Sequence, residues 1–103
     1  MVTVLVQFPL PEGMSADQFA GFCRQVAPDF RNPPGLVRKQ FLIGSDGRSG
    51  GGAYLWESRA AAEQFYGADF RARVAGLFGT EPVIQFFRTP VVVDNRAGTI
   101  DAG

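Results

Sequence analysis

The sequence predicts an α+β domain in which helices cover one face of a four-stranded antiparallel sheet. Segments with strand-like alternation and segments with helical apolar stripes follow one another in the order β-α-β-β-α-β, with the second helix split in two. This order is the ferredoxin-like arrangement. The chain has 103 residues, of which 46% are hydrophobic, so it is long enough for one modest core.

The first strand and helix have clear signals. Residues 2–8 read VTVLVQF and alternate in polarity, which predicts a strand with one strongly apolar face. Ser15 and Gln18 have the spacing of a capping box, so we expect a helix from Ala16. NPPG, which begins at residue 32, ends this segment. The helix carries an apolar stripe: Phe19, Phe22, Cys23, Val26 and Phe30.

A hairpin follows. Residues 35–43 predict the second strand, and the sequence GAYLWE predicts the third. The glycine-rich stretch between them predicts a flexible connection, with residues 50–52 in its tight turn. If the hairpin pairs Ile43 with Ala53, then Glu57 is a cross-strand mate for Lys39. One face of the second strand is expected to carry Leu36, Arg38, Gln40 and Leu42, and the other Val37, Lys39, Phe41 and Ile43.

The second helix is predicted in two pieces. Ser58 is the expected N-cap of a piece that ends at Gly67, and Asp69 is the expected N-cap of a piece that Gly79 closes. The second piece carries an apolar stripe: Phe70, Val74, Leu77 and Phe78.

The C-terminal part is predicted to hold one more sheet strand. Residues 83–89, VIQFFRT, form this fourth strand, and Pro90 interrupts the ladder. A short extra strand over residues 91–95 belongs at an edge or against a partner chain. We expect residues 1–95 to form a single domain and residues 96–103 to form a loose tail.

Both faces of the predicted sheet are apolar, although the helices cover only one. If Val4, Phe41, Trp56 and Phe86 face the helices, a second set of apolar strand residues cannot all face them as well. This second set is Leu5, Leu36, Leu42, Leu55 and Phe87. The uncovered face predicts a homodimer through sheet-to-sheet packing. Which face of each strand lines the interface stays open, because a one-residue slip exchanges the two sets. Whether residues 91–95 cross to the partner subunit is also open.

Composition argues against several classes of function. Ten Lys and Arg residues balance ten Asp and Glu residues, so no clustered positive charge points to nucleic acid or to an anionic membrane. The chain has no histidine, which removes the commonest metal ligand and acid–base group. We expect no metal and no cofactor, because the glycines at 50–52 do not lie between a strand and a helix. With one cysteine, no signal segment and no long apolar run, we expect a cytoplasmic protein.

Four polar or aromatic residues are candidates for chemistry. Tyr54 and Trp56 share one strand face, either as core or as the wall of a cavity that holds a flat ligand. Lys39 is either solvated or paired with Glu57. Alternatively, it faces a pocket, where burial lowers the pKa of its amine. Arg88 is a second candidate cation, or it lies at an exposed edge. Cys23 fits its apolar stripe as a small buried hydrophobe.

Four stretches of the chain resemble a known family. FPLPEGMSADQF, PGLVRKQFL, GGAYLWES, and FGTEPVIQFF leading to VVVDN are similar to the YdhR-like monooxygenases, roughly over residues 2–95. This family belongs to the dimeric α+β barrel superfamily, which includes the antibiotic biosynthesis monooxygenases. The resemblance implies a homodimer with a ligand pocket in each subunit between sheet and helices. It also implies oxygenation of an aromatic substrate without metal, haem or flavin.

The resemblance and the residues together suggest a mechanism. A phenol or hydroquinone-like substrate supplies its own electrons, and the protein supplies a dry aromatic slot and a positive charge. Lys39 or Arg88 holds the anion, and Lys39 is also the candidate that takes a proton. The slot is expected to contain Trp56, Tyr54, Phe22, Phe65 and Phe78. Two alternatives remain: a dimer that binds a small hydrophobic molecule without chemistry, and a purely structural dimer whose own side chains fill the pocket.

Overall fold

The computed structural model describes residues 1–102, which form the expected element order and a further hairpin. Strand β1 (Val2–Pro9) leads into helix α1 (Ala16–Val26), which continues as a 3-10 helix (Ala27–Arg31). Strands β2 (Leu36–Ile43) and β3 (Ser49–Trp56) are followed by helices α2 (Arg59–Phe65) and α3 (Ala68–Phe78). Strand β4 (Val83–Arg88) completes the sheet, and β5 (Val92–Asp94) pairs with β6 (Thr99–Asp101).

The main sheet is antiparallel, with the strand order β2-β3-β1-β4. Its helix-facing side carries the core, because every second residue of β1 is buried. Tyr54 and Trp56 of β3 pair with Val4 and Val2 of β1 and therefore face the helices. The predicted ferredoxin-like fold with a split second helix is confirmed.

Two of the predicted helix starts are correct. The Ser15 hydroxyl accepts a hydrogen bond from the Gln18 amide (3.1 Å), and the Gln18 side chain accepts one from the Ser15 amide (2.8 Å). The Ser58 hydroxyl caps α2 by accepting a hydrogen bond from the Ala61 amide (3.1 Å). The third start is shifted, because Gly67 occupies the N-cap of α3 and Asp69 lies within the first turn.

The β2–β3 hairpin differs from the expectation in its register. Ile43 pairs with Gly50 instead of Ala53, so Lys39 pairs with Tyr54 and is not placed opposite Glu57. The glycines at 50–52 belong to strand β3 and contact both neighbouring strands, so the turn lies earlier in the chain.

An irregularity in β2 changes the expected faces of that strand. The register shifts between Leu36 and Arg38, with Val37 as the extra residue, as in a β-bulge. Leu36 consequently pairs with Trp56 and packs against the helix-side core, contrary to the predicted grouping with Arg38.

The described part of the C-terminal segment forms a hairpin where a loose tail was expected over residues 96–103, and Gly103 lies outside the described residues. The Asp94 carboxylate accepts hydrogen bonds from the backbone amides of Arg96 and Ala97, each at 3.0 Å, and Gly98 adopts a φ of +70°. These features form the turn between β5 and β6. Asp94 also pairs with Arg38 on β2 of the same chain at 3.4 Å.

The side of the sheet away from the helices remains partly open in the single chain. Val83 is 62% exposed and Phe87 is 46% exposed, and both alternate with the helix-facing residues of β4. None of the helices formed by residues 1–102 combines the length and the apolar character that a membrane span requires.

Candidate active site

A cavity of about 330 Å³ lies between the sheet and the helices. Its floor comes from β1, β2 and β3, and its walls come from α1, the 3-10 helix, α2 and α3. Most of its lining is aromatic or aliphatic, with the polar groups limited to a few side chains. Two charged and exposed residues, Asp29 and Arg73, are among its lining residues. The aromatic members of the lining are Phe8, Phe19, Phe22, Phe30, Phe41, Tyr54, Phe65, Phe70 and Phe78.

Lys39 extends from β2 into this cavity and lies among three rings. Its Nζ atom is 3.4 Å from the ring centroid of Phe30, 3.9 Å from that of Phe41 and 4.5 Å from that of Tyr54. A β-strand places Phe41 on the same face as Lys39, and the 3-10 helix brings Phe30 over it. The rings favour the charged amine through cation–π attraction, while their bulk excludes the water that would solvate it.

Loss of water is the main influence on the amine's acidity. Burial lowers the pKa of Lys39 from 10.5 to about 7, and only a negative charge on the nearby Cys23 would act in the opposite direction. Burial also raises the pKa of Cys23, so its thiol stays protonated. The charge of the Lys39 side chain therefore changes near neutral pH.

Tyr54 lies beside Lys39 and keeps its proton. Burial raises the pKa of its phenol far above the usual value near 10. A protonated phenol on the cavity wall can donate a hydrogen bond to a ligand oxygen. Tyr54 thus offers a fixed donor beside an amine that titrates.

Glycines in β3 allow side chains and backbone beside the cavity to pack closely against the strand. A methyl group at Gly52 would meet Cε of Lys39 at 3.0 Å and Cε1 of Tyr54 at 3.1 Å. At Gly50 it would meet the Phe19 ring at 2.7 Å, and at Gly51 it would overlap the backbone carbonyl oxygen of Val6. The run of glycines therefore reflects close packing on a strand, which is a different reason from the expected tight turn.

Trp56 stacks beside Tyr54 but belongs to the core. The two rings are nearly parallel, with centroids 6.2 Å apart, and Trp56 has no exposed surface. Its indole Nε1–H donates a hydrogen bond of 3.1 Å to the hydroxyl of Tyr66, which caps the end of α2. This bond satisfies the polar atom that a buried Trp carries.

The candidate residues from the sequence fall into two groups. Lys39, Tyr54, Phe22, Phe65 and Phe78 line the cavity together. Trp56 is one layer behind the wall. Arg88 is exposed at the end of β4 and is not among the lining residues.

Two partners of Lys39 were not among the candidate site residues. Phe41 lies two positions further along the same strand face, so alternation was a usable signal for it. Phe30 depends on the path of the 3-10 helix and has no local signal. A further signal was available in the composition, because Lys39 is the single lysine of the chain and all its other basic side chains are arginines. Residues 1–102 contain no cluster of three or more Cys, Asp or Glu side chains that is arranged to hold a metal ion.

Comparison with solved structures identifies the same fold in several oxygenases. The monooxygenase ActVA-Orf6 of Streptomyces coelicolor, crystallised with the ligand nanaomycin D, has 18% identity and a TM-score of 0.65, with 90% of this chain and 92% of that chain covered. SnoaB, a cofactor-independent oxygenase from Streptomyces nogalater, has 20% identity and a TM-score of 0.61, with coverages of 85% and 91%. An antibiotic biosynthesis monooxygenase has 14% identity and a TM-score of 0.62, with coverages of 86% and 98%.

Because the sequence identities of the structural matches are low, these matches establish a shared fold and nothing more. No curated protein sequence matches the chain. The profile of one family, described as "Putative mono-oxygenase ydhR", matches residues 4–92, which is most of the chain. The chain belongs to the ydhR monooxygenase family.

Proposed function

We propose that this protein is a cofactor-independent monooxygenase that oxidises a small phenol or hydroquinone-like aromatic in the cavity between sheet and helices. The observation that carries the proposal is the Lys39 amine, which has a pKa of about 7 and lies in an aromatic-lined cavity of about 330 Å³. Family membership supports an oxygenase. SnoaB, described as a cofactor-independent oxygenase, and ActVA-Orf6, crystallised with nanaomycin D, share the fold.

The substrate must supply every electron that oxygen accepts. For a phenol with a free para position, one O₂ converts the para C–H and the phenolic O–H into a quinone, and the second oxygen atom leaves as water. This change removes four electrons from the ring and transfers all four to O₂. The first step is loss of the phenolic proton, since the phenolate is a far better electron donor than the phenol.

Lys39 is the base in this scheme. A neutral amine can accept the phenolic proton, and the ammonium that results lies beside the phenolate and stabilises it in a site of low polarity. An ordinary phenol has a pKa of about 10, so a ring acidified by a conjugated carbonyl matches an amine of pKa about 7 more closely. Substrates of this kind should therefore turn over fastest.

The neighbouring aromatic residues orient the substrate. Tyr54 donates a hydrogen bond to a substrate oxygen, and the phenylalanines of the wall hold the ring flat and exclude water. Trp56 acts indirectly, since it stacks on Tyr54 and fixes its ring. Arg88 has no role in this scheme because it lies outside the cavity lining.

The proposal extends to a homodimer through the face of the sheet that the helices leave open. Exposed apolar side chains on this face, such as Val83 and Phe87, are costly in a monomer and are buried when two sheets pack together. The balanced charge of the chain presents no net repulsion between two copies.

Oxygen uptake in the presence of candidate phenols tests the activity. Wild-type protein should consume O₂ and form quinone in equal amounts, and ¹⁸O₂ should place one labelled atom in the quinone. Lys39→Met should lower turnover by on the order of a hundredfold, as expected for loss of a general base. Tyr54→Phe should lower it less, and Arg71→Met, at an exposed position on α3, should leave it unchanged.

Two results would overturn the assignment. Unchanged turnover in both Lys39→Met and Tyr54→Phe would remove the proposed roles of these residues. Tight binding of phenols without oxygen uptake or product would favour the alternative function, a binding protein for small hydrophobic molecules, which the largely apolar lining also suits.

A further inference from the structure

The basic residues of this chain are distributed unevenly by type. Lys39 is the single lysine, and every other basic side chain is an arginine. An arginine stays charged at all accessible pH values and holds anions through its planar fork, whereas a lysine can lose its proton and become a nucleophile. The one side chain with that capacity is the one that enters the cavity.

The surroundings of the amine leave its lone pair available to a ligand. Within residues 1–102, Lys39 forms no ion pair with a carboxylate; its Nζ atom lies over the faces of Phe30, Phe41 and Tyr54, and the Cys23 thiol lines the same cavity. Ring faces do not accept a covalent bond from an amine and do not compete for it as a carboxylate does. A carbonyl compound that enters the cavity therefore meets an amine that lies among aromatic rings and is not paired with a carboxylate.

We propose that Lys39 is a nucleophilic amine that captures small aromatic aldehydes and ketones as imines in this cavity. The nitrogen lone pair forms a bond to the carbonyl carbon, the C=O π bond breaks towards oxygen, and a proton moves from the nitrogen to that oxygen. The resulting carbinolamine then loses water, which carries away the hydroxyl group and the second N–H proton, and a C=N bond remains. No electrons are gained or lost, so the step needs no oxidant, and water reverses it.

The cavity favours each part of this reaction. Its aromatic lining suits an aryl carbonyl, and the protonated Tyr54 phenol can donate a hydrogen bond to the oxygen that must leave. Near pH 7 about half of the Lys39 amine is neutral, which is on the order of a thousandfold more than for an ordinary lysine. Lower basicity also reduces nucleophilicity, so we expect a net rate gain of at least about tenfold.

Reductive trapping without oxygen tests this inference. The purified protein is incubated with benzaldehyde and cyanoborohydride at neutral pH under argon, and the benzyl label is located by peptide mass mapping. We expect one label on Lys39, formed at least about tenfold faster in the folded protein than in denatured wild-type chain, where the lysine has its ordinary pKa. A non-reactive phenol should slow the labelling by occupying the cavity.

A matched variant makes the result interpretable. Lys39→Arg keeps the charge but has no nucleophilic amine, so it should lose this label. Equal rates in folded and denatured protein, or labelling of wild type that leaves Lys39 unmodified, would overturn the inference. The comparison between folded and denatured wild type remains decisive even if Lys39→Arg does not fold.

Imine capture by Lys39 and the proposed oxygenase activity can be tested independently of each other. Imine capture uses no oxygen, so trapped Lys39 without any oxygen uptake would support the inference and contradict the oxygenase. Oxygen uptake that depends on Lys39, without trapping of any carbonyl compound, would support the oxygenase and contradict the inference.

Discussion

The Nζ atom of Lys39 lies 3.4 Å from the centroid of the Phe30 ring. This contact joins strand β2 to the 3-10 helix across the cavity. The ring attracts an ammonium, but it also displaces water from it. Desolvation dominates and lowers the pKa of Lys39 to about 7. The amine is therefore divided between its two protonation states at neutral pH, which gives it measurable consequences for both stability and reactivity.

The stability of the protein should depend on pH through Lys39. The unfolded chain binds this proton up to pH 10.5 and the folded chain only up to about 7, so the unfolded state holds more protons between these values. The free energy of unfolding should therefore rise with pH across this window, by about 2 kcal/mol between pH 6.5 and 8.5. Urea unfolding at several pH values measures it.

Lys39→Met is the control for this effect. The variant lacks the titrating amine but keeps an unbranched side chain of similar length, so the part of the pH dependence that comes from Lys39 should disappear. An equal pH dependence in wild type and Lys39→Met would show that the amine has an ordinary pKa in the folded protein.

Gly52→Ala should impair the cavity more than the fold. The added methyl group would press on Cε of Lys39 and on the ring of Tyr54 at about 3 Å, so the lysine must shift. We expect the affinity for a phenol to fall on the order of tenfold. Titration calorimetry measures the affinity, and thermal unfolding measures the stability.

Gly76→Ala is the matched control. Gly76 lies within α3 with no heavy atom within 4 Å of its added methyl group, so this change should stabilise the helix by about 1 kcal/mol and leave phenol binding unaltered. Unchanged phenol affinity in Gly52→Ala would contradict the placement of the ligand beside Lys39.

The hydrogen bond between Trp56 and Tyr66 should contribute to stability. Tyr66→Phe leaves the buried indole N–H without its acceptor, which should cost about 1–3 kcal/mol in free energy of unfolding. Chemical denaturation followed by circular dichroism measures this cost. Trp56→Phe combined with Tyr66→Phe should cost less than the sum of the two single changes, because the pair is removed together. Additive costs would indicate that the bond does not form.

Phe87→Glu should weaken the proposed dimer. Phe87 lies on the open face of the sheet, and a carboxylate there would have to be desolvated in a sheet-to-sheet interface. Sedimentation velocity over a concentration series should show a dimer for wild type and a monomer for the variant. Ala72→Glu, exposed on α3, should remain dimeric. A monomeric wild type would contradict this part of the proposal.

Much of the fold could be predicted from local signals. The alternation in β1 and β3 identified the strands, and the capping residues Ser15 and Ser58 identified two helix starts. The hairpin register was not predictable, because Gly50 and its neighbours have no side chains whose alternation could indicate a strand. The bulge after Leu36 was also invisible, since nothing in the sequence marks the extra residue.

The candidate site was predictable as a set of residue types but not as an arrangement. Tyr54 and Trp56 share a strand face as expected, yet one lines the cavity and the other lies behind it, because α2 covers Trp56. The position of Lys39 depended on the register, so its aromatic surroundings could not be derived from spacing alone. Local pattern determines the face of a strand, whereas tertiary packing determines what that face meets.

The pKa of Lys39 is the most direct test of the central claim that this cavity holds a titrating amine. Because the chain has a single lysine, ¹³C labelling of lysine Cε produces one NMR signal, which can be followed from about pH 5.5 to about pH 12 without assignment. We expect a midpoint near 7 in the folded protein and an ordinary midpoint, about 10.4, in the denatured chain. A folded-state midpoint above about 10 would contradict the proposed roles of Lys39 as a base and as a nucleophile.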